Sequence, residues 1–579
     1  MLLVPAAFFT LTSLVVPTVQ TILRGFQRGG LPKANGGDLL PRGRFVGVDN
    51  YADLFGLGEF WKALAFTVSL AVIPLVVAVV VAPLLAAALD RAGTWPRRAG
   101  RVLMSVPLVV FSPVAFSVAW LLGMPDGGLE TAFGELSAPG SARAAVVAIS
   151  GLTTFGAVCG LALLGYLAVL RDRGPARRVR PALAVGTIAA LATFAVSLQT
   201  FSSVYTMTRG GPGRSTQTLS LFQFSVSFVS LSLGHGAAVA TVTGLILGVL
   251  GIAATLVAIT TALRIDLVPA EPTAKHGPGG RPAGPVRIAV AAAALLAVLA
   301  VVLVGAWPWL SALFSSPGPR GAASPADART YVNTWVPPLL GAVVSVGAAF
   351  LGALGIGGLR PLGRRSEWLL LPFAPWLFVG IGPLSIAGFE NVGTLDLINS
   401  FGALIPPMLI SVPALVVLTL FCRGRAAVWQ GRVAAGAPAA GGFLRVVAVP
   451  ALPLAVLLGG ATVLINAQDL LWPLLVATDD DNMTAPVVLV SELNQYSGPD
   501  VSLGFVTPLA VLVLALLVLA ALQVTYLDRL AITVDRPTGA PAPAQNVPLP
   551  RPGAPFAPWP APAPPPAPAP HPEADRPPD

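Results

Sequence analysis

Apolar runs of about 20 residues recur along this chain, each long enough to cross the roughly 30 Å hydrocarbon core of a bilayer as a helix. Short loops that hold most of its arginines separate them. Only 11% of the residues are charged and 55% are hydrophobic, whereas soluble domains carry about 25% charged residues. The pattern predicts an all-α polytopic membrane protein embedded in a lipid bilayer. Runs bounded by charge, Gly or Pro give twelve candidate spans, near 1–23, 64–89, 102–123, 144–170, 181–206, 236–263, 288–310, 333–358, 368–388, 402–421, 446–466 and 504–527. The first lacks the basic start and small-residue cleavage site of a signal peptide, so it counts as a span.

Basic residues assign the sides. With a cytoplasmic N-terminus, the inner loops and the tail hold 24 of the 35 Lys+Arg residues, and the outer side holds 11. This asymmetry predicts both termini in the cytoplasm, although six of the 11 fall in one outer region, 24–63. Asp479, Asp480, Asp481, Glu492 and Asp500 crowd an outer loop that has no Lys or Arg. Residues 537–579 are rich in Pro and Ala, which predicts a disordered tail.

Several chemistries fall away. The net charge of +9 lies in short runs between apolar spans, where topology requires it, so no nucleic-acid partner is expected. Cys159 and Cys422 are far apart, and His235, His276 and His571 form no zinc pattern, so no metal site is expected. None of the three lysines, Lys33, Lys62 and Lys275, follows a glycine. A Walker A loop needs Gly-Lys to reach nucleotide phosphates, so this chain holds no ATP by that route.

Six runs precede a Gly/Pro-rich segment and six follow it. Each set has a long outer loop after its first run and basic inner loops after its second and fourth. This pattern predicts a duplication, with a first half over 1–265, a cytoplasmic linker over 266–287 and a second half over 288–536. In the first half stand FVGVDNYADLF (45–55) with FWKAL (60–64), MPDGGL (124–129), and TMTRGGPGRSTQTLSLFQFSVSF with LGHGAAVAT (206–241). In the second stand YVNTWVPPLL (331–340), NAQDLLWPLLVAT (466–478) and a last run closing in QVTYLDRL (523–530). These segments resemble the maltose-type carbohydrate permeases of the binding-protein-dependent ABC importers, each half resembling one of two partner subunits. The resemblance implies two fused six-helix permease domains in the plasma membrane and a sugar or oligosaccharide as solute. It also implies ABC ATPase subunits that use the ATP, an extracytoplasmic solute-binding protein, no cofactor in this chain and no catalysis by it.

Polar side chains inside spans are costly and mark candidate solute paths. Gln199 and Tyr205 in the fifth run, Gln223 before the sixth, and Asn466, Gln468 and Asp469 at the end of the eleventh are the candidates; interhelical hydrogen bonds explain each of them equally well. Gly210, Gly211 and Pro212 predict a tight turn at the membrane surface. Trp472-Pro473 joins an aromatic interface anchor to a helix breaker. The resemblance implies that the binding protein docks at these two places. It further implies a coupling loop between the fourth and fifth spans of each half, with a Glu-Ala-Ala…Asp-Gly core that docks into an ATPase. Aligning the loop 430–453 by its Phe443 ending puts Gln430 at the Glu, Ala435 at the Asp and Gly436 at the Gly, so both carboxylates are missing. The first-half loop, RDRGPARRVRP (171–181), is too short for such a helix and carries Pro175.

Two other classes compete. A major-facilitator-type secondary carrier also has twelve spans, and Asp90-Arg91-Ala92-Gly93 and Gly363-Arg364-Arg365 are similar to its loop motif. Against it, Ala86 stands where a Gly is expected and few carboxylates lie in the spans for a proton relay. A polytopic membrane glycosyltransferase would use Asp49, Asp53 and Glu59 of the first outer loop, which as solvated loop charges need no such role.

Overall fold

Helix-breaking residues decide which apolar runs become continuous helices. The computed structural model of the chain describes residues 1–29, 43–122, 130–131, 133–171, 175–268, 284–314, 325–436, 442–495, 506 and 508–534. The linker core 269–283, the segment 124–129, Asp500 and the tail 537–579 lie outside the described residues. The first half contains α1 (Val4–Gly25), α2 (Gly58–Ala92), α3 (Thr94–Val110), α4 (Pro113–Leu122) and α5 (Pro139–Leu170). It continues with α6 (Pro175–Leu198), α7 (Ser202–Thr208), α8 (Leu233–Thr260) and the strand β1 (Leu263–Leu267). The second half contains α9 (Pro285–Phe314), α10 (Ala328–Leu359), α11 (Ile381–Thr394), α12 (Val412–Ala434) and α13 (Leu444–Ala467). It ends with α14 (Leu471–Val476), α15 (Leu509–Thr525) and β2 (Leu530–Val534).

Among the described residues, ten helices are long and apolar enough to cross a membrane, or eleven when the pair α3 and α4, bent by 79°, counts as one span. The protein is thus an all-α polytopic membrane protein with almost no sheet. The ninth expected span, 368–388, is not a continuous helix. Short 3-10 turns at Gly363–Leu370 and Ala374–Trp376 lead through an extended stretch into the 14-residue α11. Pro372, Pro375 and Pro383 each remove an amide donor, and Gly380 and Gly382 weaken what remains. The tenth span also shifts, from 402–421 to α12, because Pro406 and Pro407 hold the preceding stretch out of a helix. Pro413 then starts α12 in its first turn, and Ser411 Oγ accepts the Ala414 N–H at 3.4 Å.

The first spans reach across to the opposite half. Helix α9 packs on α2, α4 and α5 of the first half, while α1 packs with its start on α10 and with its later turns on both α11 of the second half and α8 of its own. Packing rather than water exclusion holds helices together in lipid, so close backbone approach matters. A Cβ added at Gly305 of α9 would lie 2.5 Å from the Leu152 carbonyl oxygen of α5. Trp120 of α4 donates its indole N–H to the Gly305 carbonyl at 3.0 Å, and Trp309 stacks on Phe116 with ring centroids 5.4 Å apart.

Two buried ion clusters mark the face that carries the arginine-rich loops, here the basic face. Asp528, just past α15, meets Arg97 at 3.5 Å, Arg98 at 2.9 Å and Arg101 at 3.3 Å, with Arg171 at 4.0 Å. Glu367 meets Arg360 and Arg423, each at 3.1 Å. Between these clusters β1 and β2 pair antiparallel, with Leu263 opposite Val534, Ile265 opposite Ile532 and Leu267 opposite Leu530. Both strands alternate apolar and small or polar residues, which suits a ribbon buried on one face. On its other face Arg264 Nε reaches Asp266 at 3.0 Å and donates to Thr533 Oγ1 at 2.9 Å.

Candidate functional site

A helix interrupted at membrane depth frees backbone groups that hydrocarbon cannot satisfy, so a break persists only where protein groups replace the lost hydrogen bonds. Four interruptions occupy corresponding places in the two halves. The third span of the first half breaks at Phe111 and Ser112, between α3 and α4; its counterpart breaks between Trp376 and α11. The fifth spans break between α6 and α7 and between α13 and α14. A glutamine stands at each fifth-span break, Gln199 and Gln468.

Each glutamine reaches into the broken third span of the opposite half. Gln199 Nε2 donates to the Phe378 carbonyl at 2.8 Å, and its Oε1 accepts the Gly380 N–H at 2.7 Å. One side-chain amide therefore takes up both a carbonyl and an N–H released by that break. Gln468 Oε1 accepts from Ser112 Oγ at 2.5 Å, and its Nε2 donates to the Val506 carbonyl at 3.3 Å. Ser112 Oγ in turn accepts the Ala115 N–H at 3.3 Å, capping α4. Within the halves α4 packs on α7, and α11 packs on α14. The four broken segments thus form a closed ring, joined by packing within each half and by amides across them.

The other candidates from the sequence sort around this ring. Gln223 is 3% exposed and donates to the Gly382 carbonyl at 2.7 Å and to Ser385 Oγ at 3.2 Å, again crossing between halves. Tyr205 stacks on Phe201 at 5.1 Å and lies edge-on to Phe224 at 5.7 Å, with the Arg209 guanidinium 5.8 Å above its ring. Asn466 and Asp469 line a small crevice with the polar Asn333, Thr334 and Thr484 and the largely apolar Pro338, Ile381, Leu404 and Trp472. Asp469 Oδ2 also accepts the Trp472 N–H at 3.1 Å, and the buried Thr484 hydroxyl has no hydrogen-bond partner among the described residues. Trp472, read from sequence as an interface anchor, is instead 1% exposed, because its indole N–H finds the Ala403 carbonyl at 2.8 Å; Pro473 is buried beside it.

On the far face, Gly210, Gly211 and Pro212 form a turn. Gly210 has φ +86°, the Gly211 N–H bonds the Thr208 carbonyl at 2.8 Å, and Thr216 Oγ1 donates to the Gly211 carbonyl at 2.7 Å. On the basic face α12 runs to Ala434, leaving Gln430 exposed in its last turns. Ala435 caps it, and Gly436 at φ +91° supplies the left-handed residue that ends many helices. Phe443 returns edge-on to Trp429 with centroids 5.3 Å apart. Residues 437–441 of this loop, and 172–174 of its first-half counterpart, lie outside the described residues.

Reasoning from sequence missed three parts of this arrangement. Ser112 sits before a proline inside an apolar run, a signal that could have marked the break. Gly380 lies among the prolines that interrupt the ninth run. Arg24, taken as a loop residue, lies in α1 and pairs with Glu390 of α11 at 3.2 Å, the two side chains 2% and 11% exposed. Beside it Gln20 and Asn391 exchange amide hydrogen bonds of 3.1 and 3.0 Å.

No protein-family model matches the chain. It is 28% identical over 271 residues to the sulfoquinovosyl glycerol transport system permease protein SmoG of Agrobacterium fabrum, covering 42% of this chain and 84% of that protein. It is 26% identical over 231 residues to the multiple sugar-binding transport system permease protein MsmF of Streptococcus mutans, covering 36% of this chain and 79% of that protein. In both matches less than half of this chain accounts for most of a relative. The chain fits the family of sugar ABC transport permeases.

Proposed function

We propose that this chain is the membrane permease of an ABC-type importer for a sugar or oligosaccharide, with two permease domains, 1–265 and 288–536, in one polypeptide. The ring of four broken spans carries the reading. Every cross-link in it is an amide or hydroxyl hydrogen bond between halves, so relative movement of the halves parts the ring without unfolding a helix. The ring is then the barrier, and the crevice at Asn466 and Asp469, with room here for no more than about one water, lies beside it and widens to meet sugar hydroxyls as the halves part. Gln199, Gln223 and Gln468 offer amides to the same hydroxyls when their present partners move away. Alternating access follows: the ring opens toward the far face to admit solute and closes as the basic face opens.

In this reading the basic face is cytoplasmic, both termini lie there, and the membrane is the plasma membrane. A solute-binding protein approaches the far face at the turn Gly210–Pro212. Separate ATPase subunits use the ATP and push on the loop that holds Gln430, Ala435, Gly436 and Phe443. The chain needs no cofactor and performs no catalysis.

The test is uptake of labelled sugars into vesicles containing the full chain, its genomic neighbour ATPase and its binding protein, with and without ATP. ATP-dependent uptake, lost in a Gln199→Leu and Gln468→Leu double variant that still folds, supports the reading. Proton-driven uptake that ignores ATP would overturn it in favour of a secondary carrier.

A further inference from the structure

The ribbon of β1 and β2 joins the two halves in a crossed manner. Strand β1 follows the last span of the first half yet packs on α12, the fourth span of the second half. Strand β2 follows the last span of the second half yet packs on α5 and α6, the fourth and fifth spans of the first. The seating on α12 is backbone against backbone: a Cβ added at Gly424 would lie 2.4 Å from the Ile265 carbonyl oxygen and 2.6 Å from Asp266 Oδ1. Arg423 Nη1, one residue earlier, donates to the Leu263 carbonyl at 3.3 Å. At the other edge Asp528, two residues before β2, holds Arg171 at the end of α5. The pairing extends past the strands, with the Val268 N–H on the Arg529 carbonyl at 2.8 Å and Arg529 Nε on the Val268 carbonyl at 3.2 Å. A free two-stranded ribbon is marginal in water, but Leu263, Ile265, Leu530 and Ala531 are all buried here.

We propose that this ribbon is a rigid yoke between the basic-face ends of α5 and α12, so that force applied to the α12 loop alone moves both halves. The proposal rests on the importer reading for its purpose, and it resolves the unequal loops described above. Among the described residues the first half shows no extension of α5 like that of α12, α6 starting already at Pro175, and the yoke delivers a push from the second half. A yoke stays paired throughout a transport cycle, unlike a latch, whose strands must separate.

Two measurements on the full chain test this, distances in nanodiscs and sugar uptake in the ATPase-containing vesicles described above, with buried Cys159 and Cys422 left in place. Spin labels at exposed Arg180 and Arg432 report the distance between the two loops by pulsed electron resonance. In the parent the distance distribution is narrow; in Gly424→Val, which must push β1 off α12, it broadens at least about twofold and uptake falls about tenfold, a coupling loss of ordinary size. Ile532→Pro, which removes a donor at the centre of β2, gives the same broadening and serves if Gly424→Val fails to fold. Separately, Arg264→Cys with Thr533→Cys places thiols on directly opposed residues, within disulfide reach for an antiparallel pair. The oxidised form keeps the parent distribution and uptake within about twofold of the reduced form, well inside the size of a coupling loss. Unchanged widths in both Gly424→Val and Ile532→Pro, or uptake abolished by oxidation and restored by reductant, would overturn the yoke. If the parent takes up no sugar, the importer reading fails while the distance measurements still decide on the yoke.

Discussion

The two loops between fourth and fifth spans stand at the same place in each half and are different objects. In the second half α12 runs on from Arg423 to Ala434, about 16 Å of helix at 1.5 Å per residue, and closes into a knuckle where Phe443 meets Trp429. In the first half α5 stops at Leu170, Arg171 turns inward to Asp528, and α6 begins at Pro175. One loop presents a surface, and the other begins with Arg171 held in the protein's own ion cluster. The difference teaches that two halves with corresponding helices and breaks can present unlike loops on one face, one a projecting helix end and the other an arginine held inside.

The largest expected effect breaks this comparison directly. Replacing Trp429 and Phe443 by Ala lowers ATP-dependent uptake on the order of 100-fold, the upper end of a coupling energy, whereas Arg177→Ala with Arg178→Ala changes it less than about twofold. Equal losses in vesicle assays would show that both loops receive force. Next in size, Asp528→Asn leaves several buried arginines without their carboxylate, a loss of about 3–5 kcal/mol read as a lower thermal midpoint in detergent. Glu367→Gln, which serves two arginines, lowers it less; the reverse order would mean that the first-half cluster is not the heavier anchor. Reaching into the same range, Gln199→Leu strands one carbonyl and one N–H, costing about 1–3 kcal/mol for each. It raises passive leak of labelled sugar in ATP-free vesicles. The smallest effect is a gain: Gln430→Glu with Ala435→Asp tightens binding of the purified ATPase about threefold, the worth of a surface ion pair, and no matching pair of changes in 171–180 does so.

Much of the fold was legible because lipid imposes one simple rule: long apolar runs became helices and arginines gathered on one face. The ninth run misled because its apolar content fits a span while Pro372, Pro375 and Pro383 forbid the hydrogen bonds of one. Composition and backbone chemistry conflict there, and backbone chemistry prevails. The ribbon escaped notice because LRIDL and LAITV are short alternations 267 residues apart, readable as strands only once each has a partner. At the candidate site the residue types were visible but their partners were not. Gln199 was marked as polar and costly, yet what it offsets is a carbonyl and an N–H some 180 positions away, which no local pattern encodes. Trp472 shows the reverse error, since an aromatic beside a proline looks like a surface anchor until a buried carbonyl claims its N–H.

The first spans that reach across the halves also set a timetable for biosynthesis. Ala6 of α1 seats beside Gly352 of α10, where an added Cβ would lie 2.9 Å away. At about 5–20 residues per second of synthesis, the later turns of α1 find α8 early, but its first turns wait in the bilayer for some tens of seconds before α10 exists. Joining both halves in one polypeptide guarantees that the awaited helix arrives on the same ribosome, at equal dose and within reach.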